Sequence, residues 1–439
     1  MKIAFIAQNT GPATRAAGLD AAGQSARIQA LAQALAEMGH RVTIYARRDA
    51  PGQPGSVIVG SGVTVEHVPA GPPRPLPPGL VAGHVPEFAD HLARLWRHHP
   101  PEVAHAHFWT SGLAALAAAR DASVPVVQTF HGLADAAGQA PPARTEPVAR
   151  ARMEALIGRA AAVVLASSAD EADRLVRMGV PRARIRVVPC GVDVGRFCPD
   201  GAAAPRNGRS RLVSPGPLDP SQGHADVIRA LAELPGTELM VAATVPADPE
   251  RHGRRELMGL AERLHVAERL AVLGPLGEEN LPALLRSADL LVSAAPREPH
   301  DQAVVQAMAC GTAVVASDVG GHRDAVIDST TGVLVPPGQP RTLAAQIRLL
   351  LRSRVRREAY GIAAADRARS RYSWERIARE TLACYQQAAG SQRPEERLRA
   401  APAGGTLIPD EVLTVSLADI HLAMTRSFLP GHIVPVITS

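Results

Sequence analysis

Along this chain the spacing of hydrophobic positions switches repeatedly between a strand-like run and a helix-like stripe. Residues 2–7 (KIAFIA) are a short apolar run, and polar, Gly-containing sequence follows. From about 24 to 38, QSARIQALAQALAEM places Ile28, Leu31, Ala32, Leu35 and Ala36 on one helical face. Gly39 ends that helix, and RVTIYAR reads as the next strand. The alternation continues through strands VTVEHV, EVAHAH, VPVVQTF, AAVVLAS and IRVVPC. Helices EFADHLARLWRHH, TSGLAALAAARD and a segment near 143–159 separate them. Strands that alternate with helices predict a mostly parallel sheet covered on both faces.

After the Gly/Pro/Arg-rich stretch GVDVGRFCPDGAAAPRNGRS the pattern restarts. RLVSPG, ELMVAAT, RLAVLG, DLLVSAA, TAVVAS and GVLVPP are the strands of this second run. Helices DVIRALAEL, one near 251–266, LPALLRSA and QAVVQAMA lie between them. Two doubly wound α/β domains follow, 1–195 and 196–370, with a ligand expected between them at the carboxyl ends of the strands. RYSWERIARETLACYQQ, 371–387, predicts a helix with Trp374, Ile377, Leu382 and Tyr385 for packing, and 371–390 forms one segment. Residues 391–439 are a linker and a tail. In the tail, Leu413, Leu417, Ile420, Met424 and Phe428 fall at helical spacing. A 409–428 helix either covers its own domain or docks a second subunit or partner protein.

Composition narrows the classes. Nothing resembles 18 consecutive apolar residues, so no transmembrane segment is expected. The start reads as a strand rather than a signal peptide, which makes a cytoplasmic protein the expectation. Net charge is +5 and Lys2 is the only Lys. The Arg residues are scattered, which argues against a nucleic-acid partner. Arg for Lys, with abundant Ala, Gly and Pro, fits a high-GC bacterium. Cys190, Cys198, Cys310 and Cys384 show no metal-ligand spacing and are expected as buried free thiols.

Several stretches, taken in order, resemble the retaining glycosyltransferases of family 4. They are GLDAAGQSARIQALAQALAEMGHRVTIYARR, PEVAHAHFWTSG, VVPCGVDVGRF, MACGTAVVASDVGGHRDAVIDSTTGVLVPPGQP and YSWERIA. The style is that of the mycothiol glycosyltransferase and sucrose-phosphate synthase branch, and the resemblance covers roughly residues 1–390. It implies the GT-B fold, two Rossmann-like domains facing across a cleft. The first is the acceptor side, the second binds the donor, and 371–390 crosses back to the first. The activity it implies is metal-independent transfer of a sugar, with retention, from a nucleotide diphosphate sugar to a small-molecule or glycoside acceptor. No cofactor is implied beyond that co-substrate.

The same resemblance assigns the residues. His107 and Glu298 take the catalytic positions, with His107 touching the transferred sugar; a structural histidine is the alternative reading. His105, on the same strand face, is expected to pack. Gly23 and Gln24 match a Gly-rich turn in which Ala22 replaces a Gly. Gly216, Gln222, Arg297, Asp301, Gln306, Gly320 and Gly321 fall on the donor side, and His131 on the acceptor side. No metal ligands are implied.

The departures lie where negative charge builds on the leaving diphosphate. The family's pattern there is G-R-L-x-x-x-K-G, whereas this chain reads GPLDPSQG. Pro217 stands in the Arg position and Gln222 in the Lys position. Glu298 keeps the first member of a Glu-x7-Glu pair and Gln306 replaces the second. Gln306 can still hydrogen-bond a ribose hydroxyl. Asp301 is placed to cap the helix that follows it, and Asp324 keeps a carboxylate. One lost electrostatic stabiliser typically costs roughly 10²–10³ in rate. Arg297, His224, His322 and Arg323 are the cations expected near the same cleft. Three functions stand open: an active glycosyltransferase with a modified clamp, a catalytically impaired homologue acting as a partner or regulatory subunit, or a module that binds a sugar or nucleotide without turnover.

Overall fold

A computed structural model of the chain describes residues 1–8, 19–134, 146–243, 247–274, 276, 280–297 and 302–390. The first sheet contains β1 (Lys2–Ile6), β2 (Arg41–Arg47), β3 (Ser56–Ile58), β4 (Val63–Val68), β5 (Val103–His107), β6 (Val126–Thr129), β7 (Val163–Ala166) and β8 (Ile185–Val187). Their spatial order is β3-β4-β2-β1-β5-β6-β7-β8, parallel except for the edge strand β3. Around it lie α1 (Leu19–Glu37), α2 (Pro78–Val81), α3 (Val85–His98), α4 (Trp109–Ala122), α5 (Glu146–Ala160) and α6 (Ala169–Arg177).

The second sheet contains β9 (Ser210–Gly216), β10 (Thr237–Ala243), β11 (Leu270–Leu273), β12 (Leu290–Ser293), β13 (Val314–Ser317) and β14 (Gly332–Val335). It is parallel throughout, in the order β11-β10-β9-β12-β13-β14. Its helices are α7 (His224–Ala232), α8 (Ala247–Arg263), α9 (Leu281–Arg286), α10 (Gln302–Ala309), α11 (Gly320–Ala325) and α12 (Pro340–Leu351). The chain then runs through α13 (Arg354–Tyr372) and α14 (Trp374–Gly390).

The continuous apolar runs become strands because helices cover both faces of each sheet. Ile3, Phe5 and Val103 pack toward α1 and α14, whereas Ala4, Ile6, Ala104 and Ala106 pack toward α3 and α4. On α3, Val85, Phe88, Ala89, Leu92 and Trp96 form the buried stripe that the spacing demands. Full burial of a side chain such as Phe88 contributes about 1.5–3 kcal/mol.

The expected helix over 371–387 is two elements. α13 ends at Tyr372, Ser373 is extended, and α14 starts at Trp374. α14 does return to the first lobe: Ile377, Cys384, Tyr385 and Ala388 share a core with Phe5 and Val127. The outward connection is tied to this return, because Val192 N–H donates to the Tyr372 carbonyl at 2.7 Å. Gly191 lies so close to the Trp374 ring that a Cβ there would collide with it. None of the four cysteines is in a disulfide; Cys310 and Cys384 are buried, and Cys190 and Cys198 are only half-buried. Among the described residues no helix is long and apolar enough to cross a membrane. The 409–428 segment lies outside the described residues.

Candidate active site

In an open parallel sheet, the crevice forms where the strand order reverses. The first sheet reverses between β1 and β5, and the second between β9 and β12. His107 is the last residue of β5, at the first of these points. Strand alternation puts it on the face shared by Val103 and His105.

His107 is buried, with Phe5 edge-on at 5.0 Å between ring centroids and His105 at 4.1 Å. Burial, then the neighbouring His105, hold its pKa well below the ordinary histidine value, so the ring is neutral at pH 7. Its Nδ1 is 2.9 Å from His131 Nε2, and one proton lies between the two nitrogens. Its Nε2 is buried and has no hydrogen-bond partner among the described residues. A buried imidazole nitrogen left in that state costs about 1–3 kcal/mol unless something arrives to bond it. His105 is different. Its Nδ1 meets the Tyr385 hydroxyl at 2.6 Å and its Nε2 the Thr129 hydroxyl at 2.8 Å. Burial lowers its pKa to about 3. It packs, as expected, and anchors α14.

The backbone at this point is strained. Phe108 has φ 71° and ψ 159°, and His131 has φ 55°. Non-glycine residues in such regions cost about 1–3 kcal/mol and persist only where surroundings over-determine them. Here Phe108 N–H donates to the Thr129 carbonyl at 2.9 Å. The Phe108 carbonyl accepts from Gly112 N–H at 3.0 Å and from Gln128 Nε2 at 3.3 Å. Phe108 also lies against the His131 ring, 4.8 Å between centroids. Nothing in the spacing of the sequence signals this strain.

At the second reversal point, β9 ends on Gly216 and a short turn over Pro220–Gln222 leads into α7. Asp219 Oδ1 accepts from Ser221 N–H at 2.8 Å. Gln222 folds over Gly216: a Cβ at 216 would lie 2.8 Å from Gln222 Oε1. Gly223, at φ 71°, has no room for a Cβ because the Ala294 carbonyl occupies that space. The turn is therefore packed directly against the exit of β12, from which Arg297 emerges as an exposed residue.

Two of the expected cations are not cations. His224 is buried, with Nε2 donating to the Pro217 carbonyl at 3.0 Å and Nδ1 paired with the Ser214 hydroxyl at 3.0 Å. Burial pushes its pKa down to about 4. His322 donates from Nδ1 to the Ser317 carbonyl at 3.0 Å, faces the Ser293 hydroxyl through Nε2 at 3.2 Å, and is likewise lowered to about 4 by burial. Both are neutral structural histidines. Arg323 is paired with Asp318 at 2.6 Å on the surface.

The remaining positions are as follows. Gly23 and Gln24 lie inside α1, not in a turn, because the helix begins at Leu19; Gln24 is buried. Gly320 and Gly321 open α11 directly after β13. Gln306 is half-buried on α10. Glu298 and Asp301 lie outside the described residues. Asp324, on α11, reaches the other lobe with its carboxylate. Its Oδ2 accepts from Ala169 N–H, at the start of α6 in the other lobe, at 2.6 Å.

Comparison with known proteins places this geometry. The glycosyl transferase 4-like domain matches residues 22–191, and glycosyl transferases group 1 matches residues 202–367. The chain is 34% identical over 412 residues to the D-inositol 3-phosphate glycosyltransferase of Xylanimonas cellulosilytica, covering 90% of this chain and 98% of that one. The chain belongs to the group 1 glycosyltransferases. This glycosyltransferase is also 32% identical over 431 residues to the D-inositol 3-phosphate glycosyltransferase of Mycobacterium tuberculosis, covering 94% and 87% of the two chains. Among solved structures it is similar to sucrose-phosphate synthase from Thermosynechococcus elongatus. That match has a TM-score of 0.77 and 26% identity, and covers 89% of this chain and 99% of that one. The glycosyltransferase thus has the two-lobed GT-B architecture expected from its sequence.

Proposed function

We propose that this glycosyltransferase moves a sugar from a nucleotide diphosphate sugar to a small-molecule acceptor, with retention and without a metal, in the cytoplasm. The observation that carries this reading is the buried, neutral His107 at the reversal point of the first sheet, whose Nε2 lacks a partner among the described residues. A sugar hydroxyl near the reacting carbon completes that nitrogen's hydrogen bonding. The bond from the anomeric carbon to the diphosphate breaks through an oxocarbenium-like state, and the acceptor oxygen attacks from the same face. The acceptor's proton passes to the departing diphosphate oxygen beside it. The charge on that diphosphate falls to backbone N–H groups at Gly320 and Gly321 and to Arg297. Glu298, Gln306 and Asp301 complete the donor side by resemblance, and His131 the acceptor side.

The names of the relatives make D-inositol 3-phosphate the first acceptor to test. Incubating it with a panel of nucleotide sugars, and measuring released nucleoside diphosphate, tests the reading. Absence of release from every donor contradicts it. A second reading, a catalytically impaired homologue acting as a partner or regulatory subunit, is favoured by one observation. The 217–223 turn has no cationic side chain where the family places two. Calorimetry on the same panel separates the two: donor heat with turnover supports the first, and neither heat nor turnover supports the second.

A further inference from the structure

Among the described residues His131 is the hydrogen-bond partner of the His107 imidazole, so whatever holds His131 bears on the state of that ring. The segment behind it, 132–134, is held by the buried Glu154 and the half-buried Arg150 and Arg174. Arg150 Nη2 donates to the Gly132 carbonyl at 2.7 Å. Arg174 Nη2 donates to the Leu133 and Ala134 carbonyls at 3.4 and 3.2 Å. Ala134 N–H donates to Glu154 Oε2 at 2.8 Å, while Glu154 Oε1 receives Arg150 Nε at 2.7 Å. Glu154 is fully buried. Four polar backbone groups of residues 132–134 are thus tied to side chains of α5 and α6. A loop that merely connected elements would bond to water instead.

α6 has a second attachment. Its first N–H, on Ala169, is taken by Asp324 of the other lobe. Asp324 is itself held by its carbonyl, which accepts from Arg367 Nη2 at 2.7 Å and the Tyr372 hydroxyl at 3.0 Å. One short helix therefore joins the second lobe at its N-terminus to the His131 loop through Arg174.

The proton between His107 and His131 can sit on either ring. With it on His107 Nδ1, His107 Nε2 presents a lone pair; with it on His131 Nε2, His107 Nε2 presents an N–H. The two arrangements recognise different partner groups on a sugar. We propose that Glu154 and Arg174 are positioning residues that fix the His107–His131 hydrogen bond, and so the tautomer His107 offers, and that Asp324 brings the second lobe into this control through α6. The consequence for turnover rests on the function proposed above; the tautomer does not.

The test is nitrogen NMR of the full chain, without ligand, carrying ¹⁵N-labelled histidine. In the parent protein the His107 ring nitrogens should report one tautomer. Arg174→Ala and Glu154→Gln should move them toward a mixture, Arg174→Lys should fall between, and Asp324→Asn should shift them in the same direction by less. In turnover, a pair loosened by around an ångström predicts a loss of kcat of about 10²-fold, with the donor KM little changed. Ring signals identical to the parent in a folded Arg174→Ala protein overturn the proposal, whatever happens to kcat. Should Glu154→Gln fail to fold, the half-buried Arg174 variants decide alone. A parent protein that shows one tautomer but turns over no donor contradicts the function and leaves the positioning intact.

Discussion

The imidazoles of His107 and His131 lie nearly parallel, 22° between planes, and share a hydrogen bond of 2.9 Å although 24 residues separate them in sequence. β5 and the exit of β6 bring them together, and the strained Phe108 keeps them there. His107→Ala is expected to lower kcat by roughly 10²–10³, the usual cost of one preorganised polar group. His131→Ala should cost less, because His107 then loses its orientation but not its nitrogen. Steady-state kinetics on the two variants check the order; equal and small losses contradict it.

Gln222 makes one long side-chain hydrogen bond, to the Ser221 hydroxyl at 3.4 Å, and otherwise lies over Gly216. Gln222→Lys therefore sacrifices little and adds a cation at the turn. A charge-assisted hydrogen bond contributes about 1.5–3 kcal/mol, so the nucleoside diphosphate should bind about tenfold tighter or better. Titration calorimetry at two salt concentrations reads this, with the gain shrinking as salt rises. Unchanged affinity means that the diphosphate sits away from this turn.

Gly223 needs both its positive φ and its missing Cβ. The Ala294 carbonyl fills the space where a methyl would go, and it is backbone that cannot swing aside. Gly223→Ala is expected to lose roughly 1–3 kcal/mol in a denaturant melt through overpacking and strain. It should also weaken donor binding, since the turn and the exit of β12 move apart together.

His224 and His322 set an acid limit. Their folded pKa values, both about 4, lie below the ordinary 6.5. Between those limits the unfolded chain binds more protons than the folded one, so stability rises with pH across the window and is level above it. Each histidine should remove about 2 kcal/mol between pH 7 and pH 5. Glu154 and Glu171, whose carboxyl pKa values are raised by burial, act in the opposite direction. Denaturation of the parent and of His224→Gln at both pH values isolates the effect, because the variant should lose less on acidification. Equal losses contradict the assignment.

Much of the architecture was readable from periodicity. The alternation of apolar runs and stripes marks most strands and the two-lobed order, and the position of His107 at a strand end follows from EVAHAH. Boundaries were read less well. Ala22–Gln24 match the family's Gly-rich turn by resemblance, yet α1 starts at Leu19 and runs through Gly23. The single helix over 371–387 conceals a break at Ser373, which arises where Val192 pairs with the Tyr372 carbonyl, a contact 180 residues away in sequence. His224 and His322 could not be told from cleft cations in one dimension. Their partners, Ser214 and the Pro217 carbonyl for one and Ser293 and the Ser317 carbonyl for the other, decide their charge. The hold of Arg150 and Glu154 on the His131 loop joins positions that the sequence separates by 15 or more residues, and no local pattern signals it.

The central claim is that two lobes lacking the usual pair of cations still transfer a sugar. Its most direct measurement is proton NMR of the product formed from D-inositol 3-phosphate and each nucleotide sugar in turn, read together with release of nucleoside diphosphate. At least one donor is expected to give a glycoside with the donor's own anomeric configuration and one nucleoside diphosphate per bond made. A product of inverted configuration, or no product from any donor, contradicts it.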